Sequence, residues 1–198
     1  MALRAASSQR VGLLGGSFNP AHAGHREISV YALKHLRLDA VWWLVSPANP
    51  LKDPEEYAPL PVRMSTARAI ASHERIVVSN YEQRMGLQYT ADTLTSITSD
   101  YGSMRFVWLM GADSLRDFHR WRDWRTIAQT LPIAIFNRPG YHSDALESEA
   151  AKTLADFRRD EIEGPNLADL EPPAWIFFQE PDNSLSSTEI RNAPSHRH

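Results

Sequence analysis

The sequence predicts an α/β domain: a mostly parallel sheet with helices packed on both faces. Three observations lead there. Short apolar runs alternate with helical-period segments along the whole chain. Runs such as Ala40 to Ser46 (AVWWLVS) are continuously apolar, as strands covered on two faces must be. And 198 residues suit one domain large enough to bury a substantial core.

In chain order, Met1 to Arg10 is a polar lead-in without the apolar core of a signal peptide. Val11 to Leu14 is a first strand, and a helical pattern runs from Gly24 to about Leu36. Ala40 to Ser46 is the second strand, which makes Trp42 and Trp43 core residues. Five prolines between Pro47 and Pro61 exclude a regular element and mark a flap or lid. Pro61 to His73 reads as a helix with proline at its start, Ile76 to Ser79 as a short strand, and Thr90 to Ser99 as a helix capped near Tyr89 or Thr90. Arg105 to Met110 is a fourth strand, followed by Asp113 and Ser114 as cap residues. Trp121 and Trp124 are expected on one helical face. Ile133 to Phe136 is a fifth strand and Asp144 to Glu163 an exposed, charged helix. Gly164 to Pro173 is an acidic connector, Trp175 to Phe178 a last strand, and Ser186 opens a final helix. Alternation of this kind is a Rossmann-like, doubly wound arrangement.

Composition narrows the function. A chain without cysteine forms no disulfide and does no thiol chemistry, which fits a reducing, cytoplasmic setting. A net charge of −3 leaves no footprint for a nucleic-acid backbone, and no apolar run reaches membrane-span length. Without GxGxxG, hydride transfer on a dinucleotide is not indicated. Oligomeric state stays open.

Two constellations carry chemistry. In Gly15-Gly16-Ser17-Phe18-Asn19-Pro20-Ala21-His22-Ala23-Gly24-His25, adjacent glycines let the backbone approach a ligand. The helix start behind them favours an anion, and His22 and His25, three apart, can face that same anion. Zinc would need a third protein ligand, and HExxH is absent, so polyphosphate is the preferred reading and no metal ligands are assigned. In Ser186-Ser187-Thr188-Glu189-Ile190-Arg191, a capping box accounts for Ser186 and Glu189 but not for Arg191, whose fork matches phosphate.

From Val11 to Arg191 the chain resembles the bacterial nicotinate-nucleotide adenylyltransferases, at GGSFNPAHAGH, WWLVSPANPLK, YTADTL, GADSL, NRPGY and SSTEIR, in that order. Gln88 departs from the small residue expected before Tyr-Thr. The resemblance implies a nucleotidyltransferase domain over 11–198 that joins ATP, with its Mg²⁺, to nicotinate mononucleotide in NAD biosynthesis. It implies phosphate-gripping roles for Gly15, Gly16, Ser17, Phe18, His22, His25, Ser187, Thr188 and Arg191, with Lys52 and Arg138 as further basic positions. Tyr89, Thr90 and Trp121 would hold the nicotinate ring, and Asp113 would contact the nucleotide. Alternative readings are a sister enzyme such as pantetheine-phosphate adenylyltransferase, a non-catalytic nucleotide sensor, and an RNA-binding fragment of a class I synthetase. YTADTL and the flap disfavour the first, the complete His22, His25 and Arg191 set the second, and the acidic charge the third.

Overall fold

In the computed structural model, which describes residues 8–47 and 57–181, the apolar runs pair into one sheet. Its strands are β1 (Arg10–Gly16), β2 (Ala40–Val45), β3 (Ile76–Ser79), β4 (Arg105–Gly111), β5 (Ile133–Phe136), β6 (Arg158–Arg159) and β7 (Trp175–Phe178). They stand in the order β3-β2-β1-β4-β5-β7-β6, and every neighbouring pair is parallel. The chain builds from β1 outward to β3 and then returns to the other flank of β1 at β4. That reversal opens a crevice beyond the C-terminal ends of β1 and β4, where open α/β sheets receive ligands.

Alternation along the strands divides the core in two. Phe106, Trp108 and Met110 of β4 face one layer, Val107 and Leu109 the other. Leu33 of α1 (Ala23–His35) and Met64 and Ala67 of α2 (Leu60–Ala71) complete the second layer. Leu94 and Ile97 of α4 (Thr90–Asp100) and Ile127 of α6 (Trp124–Thr130) complete the first. The short α3 (Tyr81–Met85), α5 (Ala112–Asp117), α7 (His142–Leu146) and α8 (Glu149–Thr153) fill the connections. No helix among the described residues is long and apolar enough to cross a membrane.

Four sequence expectations need correction. Residues 144–163 are not one helix. The Ser148 hydroxyl caps a new helix by accepting from Ala151 N at 3.2 Å, and Arg158–Arg159 then pairs with β7 as an edge strand. Nor is 164–173 all connector, because a 3₁₀ segment over Glu161–Asp169 buries Leu167 completely. Trp121 and Trp124 do not share a helical face. The chain turns extended at Trp121 and left-handed at Asp123 (φ 53°) before α6 begins, so Trp124 goes into the core and Trp121 stays half-buried. Asp113 does not cap α5, whose N-cap is Gly111. The flap residues 48–56 and the Ser186–Arg191 segment lie outside the described residues.

One buried cation ties the site end of the sheet together. Arg63 of α2 is 2% exposed. Its guanidinium donates to the carbonyls of Ala58 (2.8 Å), Ser17 (2.6 Å), Ser46 (2.8 Å) and Pro47 (2.7 Å). Ser17 belongs to the loop after β1, and Ser46 and Pro47 to the loop after β2. Burial pulls the Arg63 pKa below its ordinary value, and these carbonyl dipoles offset the desolvation that causes it. Arg63→Met should cost about 3–5 kcal/mol, the range for breaking a buried charge network. In thermal melts that is a fall of roughly 6–20 °C. Arg63→Lys, which cannot reach four carbonyls, should fall in between. A melting temperature unchanged by Arg63→Met would exclude this role.

Candidate active site

Beyond the ends of β1 and β4 lies a cleft of about 310 Å³, lined by the Gly15–Phe18 loop, the two histidines, Asp113, Trp121 and Arg138, among others. Its floor explains the first glycine. A Cβ on Gly15 would stand 2.4 Å from Cη2 of Trp108, so only glycine lets β1 lie over that indole. At Gly16 an added carbon would meet the Phe18 ring at 3.7 Å, ordinary contact, so the protein itself does not demand glycine there.

Phe18 turns the chain with a left-handed φ of 47°, a strained value for an aromatic residue, and its buried ring repays the strain. The ring stacks on Trp43 (centroids 5.0 Å) and against His25 (4.7 Å). The Trp43 indole N–H donates to Ser29 Oγ, and that hydroxyl donates to the His25 carbonyl, both at 2.8 Å. The core tryptophan thus holds the histidine from below.

His22 is the N-cap of α1 and His25 its third residue. The backbone N–H of His22 donates to His25 Nδ1 at 3.2 Å, and the two rings lie 3.9 Å apart. An Nδ1 that accepts places the hydrogen of neutral imidazole on Nε2, which becomes a donor. Burial, and then the charges of His22 and Arg138, lower the His25 pKa to about 3. His25 therefore offers the cleft an uncharged N–H donor at neutral pH, and the electrostatic weight falls on the helix terminus and on arginine.

Across the cleft, Asp113 Oδ2 accepts from Arg138 Nη1 at 2.7 Å. Gly111 makes room for that carboxylate, since a Cβ there would sit 2.4 Å from Asp113 Oδ1. The pair is partly exposed, with the Asp113 side chain at 32% and that of Arg138 at 19%. The Asn137 Oδ1 atom is buried without a hydrogen-bond partner, in a residue that lines the same cleft. Trp121 is held by the edge of Phe118 (5.4 Å, 80°) and forms a wall. Among the described residues no three His, Asp or Glu side chains cluster as a metal site.

The structure thus brings together Gly15, Gly16, Ser17, Phe18, His22, His25, Asp113, Trp121 and Arg138. Tyr89 and Thr90 begin α4 outside the lining of the cleft, tied to its wall by Arg122, which stacks over the Tyr89 ring at 4.3 Å one residue after Trp121. Lys52, Ser187, Thr188 and Arg191 lie outside the described residues. Sequence reasoning missed Trp108, Asn137 and Arg63. Trp108 and Asn137 had a signal, since each lies in or just after a strand at its C-terminal half. Arg63 had none, being one arginine in a helical pattern.

A second hollow, about 410 Å³, lies at the opposite end of the sheet. There Asp169 engages Arg10 and, at 3.4 Å, Arg105.

The fold favours neutral His25, so its contribution to stability is present above pH 6.5 and declines as pH falls from 6.5 toward 3. In a ¹⁵N NMR titration His25 should keep its Nε2–H tautomer from pH 8 down to pH 5. A midpoint near the ordinary histidine value would contradict the geometry.

The cytidylyltransferase-like family matches residues 13–193 of this chain. A probable nicotinate-nucleotide adenylyltransferase of Methylorubrum extorquens is 50% identical over 182 residues, covering 92% of this chain and 98% of that protein. Its counterpart from Cereibacter sphaeroides is 51% identical over 181 residues, covering 91% and 96%. Among solved structures, Plasmodium falciparum nicotinic acid mononucleotide adenylyltransferase complexed with NaAD aligns with a TM-score of 0.70 over 93% of this chain and 83% of that one. At 15% identity the last is a likeness of fold.

Proposed function

This chain belongs to the cytidylyltransferase-like family and, within it, to the nicotinate-nucleotide adenylyltransferases, and we propose that it joins ATP and nicotinate mononucleotide into nicotinate adenine dinucleotide with release of pyrophosphate. The observation that carries this reading is the donor-lined cleft at the reversal of strand order, in a chain half identical to such enzymes over nearly its whole length.

In this reaction a phosphate oxygen of the mononucleotide forms a bond to the α-phosphorus of ATP. The bond from that phosphorus to the pyrophosphate oxygen breaks. The nucleophile is anionic at neutral pH, so no general base is required. What must be overcome is the mutual repulsion of two anions and the charge that develops on the transferred and departing groups. Positioning and fixed dipoles supply that stabilisation. The start of α1 presents backbone N–H groups, His25 its Nε2–H and His22 its ring beside it. Mg²⁺ enters with ATP on the phosphates, as part of the substrate. Arg138, once turned from Asp113, Lys52, Ser187, Thr188 and Arg191 are assigned to the same phosphates, and Asp113 to the bound nucleotide.

The nicotinate carboxylate is assigned to the start of α4. Tyr89 makes no side-chain cap there, and the helix's own ladder begins with Thr93 N donating to the Tyr89 carbonyl. The N–H groups of Thr90, Ala91 and Asp92 are thereby left for a ligand. A carboxylate accepts from such donors, whereas the NH₂ of the corresponding amide would oppose them.

Incubating the protein with ATP, Mg²⁺ and a panel of mononucleotides, with pyrophosphate detected, tests the assignment. Nicotinate mononucleotide should be used at least about tenfold better in kcat/KM than its amide, from one mismatched buried group. Equal use, or preference for the amide or for phosphopantetheine, would sink it. His22→Ala and His25→Ala should each lower kcat/KM by about a hundredfold or more while leaving the fold intact. A fully active His25→Ala protein would remove that residue from the site.

A further inference from the structure

Beneath the start of α4 sits a carboxyl group that adenylyl transfer does not use. Glu82, in α3, is 7% exposed. Its Oε1 lies 3.1 Å from the hydroxyl of Thr93, the completely buried threonine of the YTADTL stretch. Its Oε2 is buried without a partner. The Thr93 hydroxyl also lies 3.1 Å from the Tyr89 carbonyl oxygen. A hydroxyl has one hydrogen and cannot give it to both acceptors. Both contacts are satisfied together only when the carboxyl is the neutral acid. Glu82 then donates to Thr93 Oγ1, and Thr93 donates to the Tyr89 carbonyl.

We propose that Glu82 is a positioning residue for the pyridine end of the substrate: through Thr93 it fixes Tyr89, the N-cap of α4, and so aims the free N–H groups of that helix's first turn. The proposal rests on the assignment of those N–H groups to the nicotinate carboxylate. Burial acts in the same direction as the geometry, raising the Glu82 pKa from 4.5 to about 7 against the opposing Thr93 hydrogen bond.

The charged groups nearby leave Glu82 alone. Arg84 of α3 lies over the Tyr81 ring, and Asp100 of α4 takes the Tyr81 hydroxyl. Asp92 is exposed, and Arg122 and Arg125 lie over the rings of Tyr89 and Trp124. From β2, which packs on α3, come the apolar Trp42 and Leu44. When Glu82 ionises, its carboxylate claims the Thr93 hydrogen and the Tyr89 carbonyl loses it.

The test uses the full chain with Glu82→Gln, Glu82→Ala and Thr93→Val. Glutamine supplies an N–H donor where the neutral acid has its O–H, so it should preserve the relay at every pH. Separate KM values for nicotinate mononucleotide and ATP are measured from pH 6 to 9, and amide hydrogen exchange at positions 93 and 94, the first bonded amides of α4, is followed without ligand. For Glu82→Ala and Thr93→Val, KM for the mononucleotide should rise about tenfold, the effect of one lost buried hydrogen bond. The KM for ATP should stay within about twofold, and exchange at positions 93 and 94, where the helix ladder begins, should speed by a similar tenfold. In the wild type, KM for the mononucleotide should climb above about pH 7, a limb absent from Glu82→Gln. The idea is overturned if Glu82→Gln is as impaired as Glu82→Ala. It is equally overturned if Glu82→Gln keeps the wild-type pH limb, or if Thr93→Val leaves KM and exchange unchanged. Should Glu82→Ala fail to fold, Glu82→Gln and Thr93→Val decide it. A wild type that makes no dinucleotide would refute the substrate assignment, and hydrogen exchange would still report on the relay.

Discussion

A guanidinium with 2% exposure must find an acceptor for nearly every N–H it carries, and Arg63 finds them on the carbonyls of Ser17, Ser46, Pro47 and Ala58. Each acceptor sits just beyond or just before a regular element, where a carbonyl has no ladder partner. The requirement works in both directions. Unpaired carbonyls hold the cation in, and the cation fixes where the loops after β1 and β2 leave the sheet. Asn19, which accepts from Ala58 N at 3.2 Å through its side chain, joins the loop after β1 to the same cluster. The position of the histidines is therefore settled from α2 as well as from α1.

On that frame the cleft carries little bare positive charge among its described residues. His25 is neutral, Arg138 is engaged by Asp113, and the start of α1 supplies dipoles. For the proposed reaction, an arrangement of dipoles suits two anionic substrates that must enter and a dinucleotide that must leave, because fixed donors stabilise developing charge without binding every phosphate indiscriminately.

The sheet was legible because its strands are buried on both faces, and such strands announce themselves as unbroken apolar runs. AVWWLVS and RFVWLM needed no tertiary context. The first motif was legible for a related reason, since glycines, turn and paired histidines all lie within eleven residues. What escaped was whatever depends on a distant partner. Arg158–Arg159 is a strand only because β7 lies beside it. Residues 144–163 carry helical composition, but their breaks come from the Ser148 cap and from that pairing. The separation of Trp121 from Trp124 turns on one left-handed aspartate, which no periodicity reveals. Arg63 and Glu82 look like ordinary surface charges of helices until the loops around them are in place.

The acceptor role of His25 Nδ1 comes from the main chain of His22 and not from any side chain. Any residue except proline at position 22 would supply the same N–H, so the ring's tautomer is inherited with the backbone path and is insulated from sequence drift. Each imidazole can still be lost in a single codon change; what the backbone path preserves is the tautomer of whichever histidine stands at position 25.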